Sequence, residues 1–131
     1  MYVKGTVGGV PTVGLAQANA VGTVPALGLM LDSTANGAYG RVIRTGYINM
    51  DTSAFSSGQE LYLSPTVAGG LTATRPSGTT NYVQPVGTVA IASVAGTLEL
   101  APSTFVGNRE TGTNATLWTG TFASTTGISG T

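Results

Sequence analysis

Short β-type runs alternate along this chain with clusters of Gly, Pro, Ser, Asn and Thr. No segment carries the capped i, i+3, i+4 apolar spacing that an amphipathic helix needs. That rhythm predicts an all-β fold, a compact antiparallel β-sandwich or barrel. Met1 to Val7 is the first run; Gly8-Gly9 interrupts it and Val10 to Ala16 resumes, with Val13 and Leu15 alternating with small residues. Residues 17 to 25 read as a loop, and Ala26 to Leu31 as a buried strand. Asn36-Gly37, in the turn-rich stretch that follows, is a strong hairpin signal. Tyr39 to Met50 is the next strand, bulged or bent at Gly46. Asp51 to Gly58 connects, with Phe55 as a plug for the core. Gln59 to Thr74 forms a hairpin around Pro65 to Gly70, with Leu61 and Leu63 on one face. Tyr82 to Ser93 is broken at Pro85-Val86-Gly87; a proline without an N–H puts this break at an edge or a bulge. Ala95-Gly96 turns the chain into Thr97 to Leu100. The expected core is Leu29, Leu31, Ile43, Phe55, Leu61, Leu63, Val89, Ile91 and Leu100.

At 131 residues, 41% of them hydrophobic, the chain is long enough to build one core without disulfides. Composition shifts after Ala101-Pro102, which divides the chain into a β-domain, residues 1 to 102, and an extended Thr/Gly/Ser-rich C-terminal arm, residues 103 to 131. The arm carries Phe105, Leu117, Trp118, Phe122 and Ile128 at wide spacing, too few to make a core alone. It also holds the single Trp of the chain. Trp is enriched where binding energy concentrates, so Phe105, Leu117, Trp118 and Phe122 are the candidate partner-binding residues.

There is no Cys and no His. Zinc sites built on thiolate or imidazole are thereby excluded, together with the usual general base near neutral pH. The charged residues are five basic and five acidic, scattered singly, for a formal net charge of zero. No basic patch is present to attract nucleic acid. No apolar run is long enough to span a bilayer, and no secretory leader is evident, which predicts assembly in a cytoplasm without a membrane step. Gly5 to Gly9 and Gly37 to Gly40 are Gly-dense but lack the Lys-Ser/Thr of a phosphate loop, so both read as turns. Glu60 and Glu99 lie opposite leucines on separate strands and read as solvated, although two carboxylates at a suitable separation are also what glycosidases use. Arg41 and Arg44 fall on opposite strand faces and read as surface groups. Asn114-Ala115-Thr116 matches a glycosylation sequon, discounted without a leader. No catalytic residue, metal or cofactor is predicted. So little charge opposes association poorly, which predicts a surface covered by other protein chains.

The order of pieces from residue 26 to 101 resembles a β-rich domain of tailed-bacteriophage virion proteins. The residues that carry the likeness are Leu27-Gly28-Leu29, then Gly40-Arg-Val-Ile-Arg-Thr-Gly46, then the hairpin SSGQELYLSPTVAGGLTATRPSG from Ser56 to Gly78, followed by Val86-Gly87-Thr88-Val89 and Thr97-Leu-Glu-Leu100. The domain occurs in small capsid decoration (cement) proteins and in fibre modules. The resemblance implies a structural, non-enzymatic virion protein that forms trimers and attaches to the major capsid protein or another virion protein. With no coiled coil or receptor-binding tip, a decoration protein that stabilises the head between capsid subunits is the leading expectation. A module of a tail fibre or tail tip, serving assembly or host attachment, is the alternative. A glycan hydrolase ranks far behind.

Overall fold

The computed structural model describes residues 1–103 and Val106. These residues form an all-β, antiparallel structure of nine short strands. The strands are β1 (Tyr2–Val7), β2 (Val10–Gly14), β3 (Leu29–Met30), β4 (Val42–Ile43), β5 (Gly46–Met50), β6 (Glu60–Leu63), β7 (Leu71–Thr72), β8 (Pro85–Ile91) and β9 (Gly96–Leu100). They group into two ribbons, β1-β2 and β3-β4, and one five-stranded sheet in the order β5-β9-β8-β6-β7. The sheets do not close into a barrel.

The core sits on one face of the five-stranded sheet. Leu61 and Leu63 of β6, Val89 of β8, and Leu98 and Leu100 of β9 are all buried there, because alternate strand residues share a face. The segment between β2 and β3 lies over them through Ala16, Ala18 and Ala26, with Leu29, Ile43 and Phe55 half-buried against the cluster. Small alanines on this segment let its backbone approach the leucines closely.

Two expected core residues are not in the core. Ile91 is 57% exposed. Val89 pairs with Leu98, but Ile91 pairs with Thr97, so Ala90 is an extra residue on β8. This bulge shifts the side-chain alternation by one and turns Ile91 to the outer face. Leu31 is 48% exposed. The strand expected over Ala26 to Leu31 is reduced to Leu29–Met30, and Leu31 lies past the end of its ladder, away from the residues that touch the core.

The long strand expected over Tyr39 to Met50 is two strands in two sheets. Gly46, at φ +130°, makes the bend between them, a backbone region that favours glycine. Gly8-Gly9 does more than interrupt a run: both residues have positive φ and form the two-residue turn of the β1-β2 hairpin. The Asn36-Gly37 turn lies within a longer loop joining β3 to β4, which is clamped by the Asp32–Arg41 ion pair at 2.7 Å. Pro85 is the first residue of β8, beside a register shift in the β6-β8 pairing.

A buried glutamine fastens the layers together. The Ala26 N–H donates to Gln84 Oε1 at 2.7 Å, while Gln84 Nε2 donates to the Ala26 and Ser103 carbonyls, each at 2.8 Å. One side chain thus ties the covering segment, the start of β8 and the point where the chain leaves the sheet. At the opposite end Thr52 is fully buried, and its hydroxyl donates to the Ile91 carbonyl at 2.7 Å.

Candidate contact surfaces

The β1-β2 hairpin stands out from the body. Among the described residues it pairs with no other strand, and neither of its strands contains a buried residue. It is held at its root alone. The Met1 amine donates to the Gly28 carbonyl at 2.9 Å, the Leu27 N–H to the Met1 carbonyl at 2.7 Å, and the Gly69 N–H to the Ala16 carbonyl at 2.7 Å. Tyr2 packs on the core, and its ring covers Gly14, where a Cβ would come within 2.8 Å of it. Beyond the root, Val3, Val7, Val10 and Val13 are exposed. Cross-strand register puts Val3 and Val13 on one face and Val7 and Val10 on the other, so both faces are apolar. Leu15, also exposed, lies two residues beyond Val13 and reaches Gly69 in the β6-β7 turn, where Val67 is exposed as well. An isolated two-stranded ribbon is marginal in water.

The outer face of the five-stranded sheet is polar. Tyr47, Glu99, Thr88 and Glu60 form one row across four adjacent strands. Glu60 and Glu99 flank Thr88 and are therefore separated by two inter-strand spacings, about 10 Å. Both are exposed. The Tyr62 hydroxyl is hydrogen-bonded to Glu60, which, together with partial desolvation, raises its pKa above the ordinary value. Among the described residues, this row and the neighbouring Tyr62 present two exposed carboxylates and two tyrosines on the outer face. Among the described residues, no group of three or more His, Cys, Asp or Glu side chains is placed to hold a metal ion.

Arg41 and Arg44 have different surroundings. Arg41 is bidentate to Asp32, with Nε and the second guanidinium nitrogen at 3.0 and 2.7 Å from the two carboxylate oxygens. That pairing holds the Asp32 carboxyl down at about 2. Arg44 lines an open cleft of about 330 Å³ with Ala26, Leu27, Thr45 and Pro102. The outgoing chain passes through the wall of this cleft. Sequence reasoning did not single out this cleft or the hairpin's isolation, since neither leaves a signature in residue order.

The candidate residues of the arm, Phe105, Leu117, Trp118 and Phe122, lie outside the described residues, as does the arm itself apart from Ser103 and Val106. No family model, no curated protein and no solved structure matches this chain.

Proposed function

We propose that the chain is a structural protein of a bacteriophage particle, a capsid decoration or cement protein that binds between capsid subunits and stabilises the head. The observation that carries this reading is the hairpin with apolar residues on both faces and, among the described residues, no partner strand or buried residue of its own. A ribbon of that kind is stabilised by burial against another chain, at about 25 cal/mol for each Å² of apolar surface removed from water. Near-zero charge favours the same outcome, and the likeness of residues 26 to 101 to virion domains supplies the particle. In this role the chain performs no chemistry. A protein that binds the assembled lattice and not its loose subunits stabilises the lattice by mass action. Its partners are copies of itself, as trimers by that likeness, and the major capsid protein or another virion protein.

Imaging of particles that carry the chain is the direct test. Density for the β-domain on the head, between capsid subunits, is the expected result. Density on the tail would replace this reading with that of a fibre or tail-tip module. Trp118→Ala is expected to lower occupancy on purified particles while leaving the far-ultraviolet circular dichroism of the β-domain unchanged.

A further inference from the structure

We propose that the outer edge of β5 is the docking site for the C-terminal segment, residues 111–131, of a neighbouring copy, which adds to the sheet as a sixth strand. This deepens the reading above by naming the contact between copies.

The argument begins with the free edges. An unpaired strand edge is a template for another chain, and proteins blunt such edges with Lys, Pro, bulges or short length. Three of the free edges here are blunted in these ways. β1 carries Lys4 at a register irregularity between Val3 and Gly5. β2 carries Pro11. β7 is only two residues long. β5 has none of these devices. It is a five-residue strand in unbroken register with β9 along its whole length, without charge or proline, and it pairs with no other strand among the described residues. Its inner-face residues Ile48 and Met50 are half-buried at the rim of the core. A strand added there would cover them.

The segment beyond residue 110 suits that edge. It contains no charged residue and no proline. Trp118, Gly120 and Phe122 fall on alternate positions, so as a strand it would carry two aromatic side chains on one face, the face that meets Ile48 and Met50. Main-chain pairing supplies affinity in such additions, and alternate side chains supply specificity.

The direction of the outgoing chain selects a neighbour's β5 over its own. β9 ends with Leu100 opposite Gly46 at the start of β5. The chain does not turn there. The Ala101 N–H donates to the Val86 carbonyl and the Ser103 N–H to the Pro85 carbonyl, each at 2.9 Å, so residues 101 to 103 continue along β8 and past the end of β5. These three residues lie on the β8 side of β9, opposite to the free edge of β5. Arm-onto-edge contacts of this kind are head-to-tail and close into a ring when the rotation allows.

A chain without cysteine makes the test direct. Full-length copies carrying Asn49→Cys would be mixed at micromolar concentration with copies carrying Thr119→Cys under mild oxidation, and the positions from 117 to 122 substituted in turn to allow for register. A two-chain product at alternate positions is expected, at least tenfold above that from a mixture in which Thr12→Cys on the hairpin replaces Asn49→Cys. In the unsubstituted protein, hydrogen exchange at Tyr47 and Asn49, whose N–H groups face away from β9, should be as slow as in β9. Absence of a two-chain product at all six positions overturns the proposal. So does equal cross-linking to the hairpin, or a chain bearing both substitutions that closes on itself as a monomer. No particle is needed, so a chain that cross-links as expected but is missing from the head would refute the capsid-decoration reading alone.

Discussion

Gln84→Met removes the polar bridge between the two layers while keeping side-chain volume nearly constant. Three hydrogen bonds are lost, two at Ala26 and one at Ser103. Ala26 is only 5% exposed, so its N–H and carbonyl stay buried without their Gln84 partner. Each buried group left unsatisfied costs about 1–3 kcal/mol, which puts the two at about 2–6 kcal/mol. The Ser103 carbonyl, being part-buried, is open to water and adds less. Typical domains are stable by about 5–15 kcal/mol, so the loss is a large fraction of the total. Urea unfolding followed by circular dichroism reads it. With a slope of about 1–3 kcal/mol per molar, the midpoint should fall by roughly 1 M or more at unchanged slope. A loss under about 0.5 kcal/mol would mean that water replaces the bridge at no cost, and the account of Gln84 as the fastening between layers would be wrong.

Leu63→Ala and Leu98→Ala should each cost about 2–5 kcal/mol in the same assay, whereas Ile91→Ala, turned outward by the β8 bulge, should stay within about 0.5 kcal/mol. Gly96→Ala should cost about 1–3 kcal/mol by overpacking, since its Cβ would collide with Thr52 Oγ1 and the Ile91 carbonyl. The Asp32 carboxyl, at about 2 in place of 3.8, binds fewer protons in the folded state than in the unfolded one. Its contribution to stability is therefore full above the unfolded value and fades as pH falls towards about 2. A carboxyl titration by NMR should show that midpoint, and Arg41→Ala, which keeps the backbone N–H donor to Asp32, should raise it only partway towards the ordinary value.

The parts of the fold that residue order discloses are those governed by local rules. The β6-β7 hairpin needs only the Leu61–Leu63 alternation and a Gly-rich turn, and it forms where expected. The β9 strand follows Ala95-Gly96 in the same way. Ile91 shows where local rules stop. Strict alternation from Val89 puts it in the core, and only pairing with β9 inserts Ala90 as the extra residue. Gln84 is a further case. Glutamine is mostly an exposed residue, and nothing beside it in sequence announces that the backbone of Ala26, 58 positions away, will meet its amide. Fixing such a residue requires knowing which distant segment lies over the sheet.

The contact surfaces divide along the same line. That the chain is poor in charge is visible in its composition, and it points to association without saying where. Which valines remain exposed depends on the β1-β2 hairpin finding no sheet to lie on among the described residues, which its own sequence does not disclose. The edges make the point more sharply. Lys4, Pro11 and the shortness of β7 acquire meaning only when β1, β2 and β7 are each known to keep one free side among the described residues, because the same features on a strand paired on both sides protect nothing. β5 reads in sequence as an ordinary apolar strand, and the expected run from Tyr39 to Met50 would have hidden its limits. Once Gly46 bends the chain and β9 takes one side of β5, the other side is left with regular geometry and no guard among the described residues. A five-residue edge in that condition is an aggregation hazard for a free, nearly uncharged protein. Covering it with an uncharged segment of a neighbouring copy removes the hazard and joins the copies by the same contact.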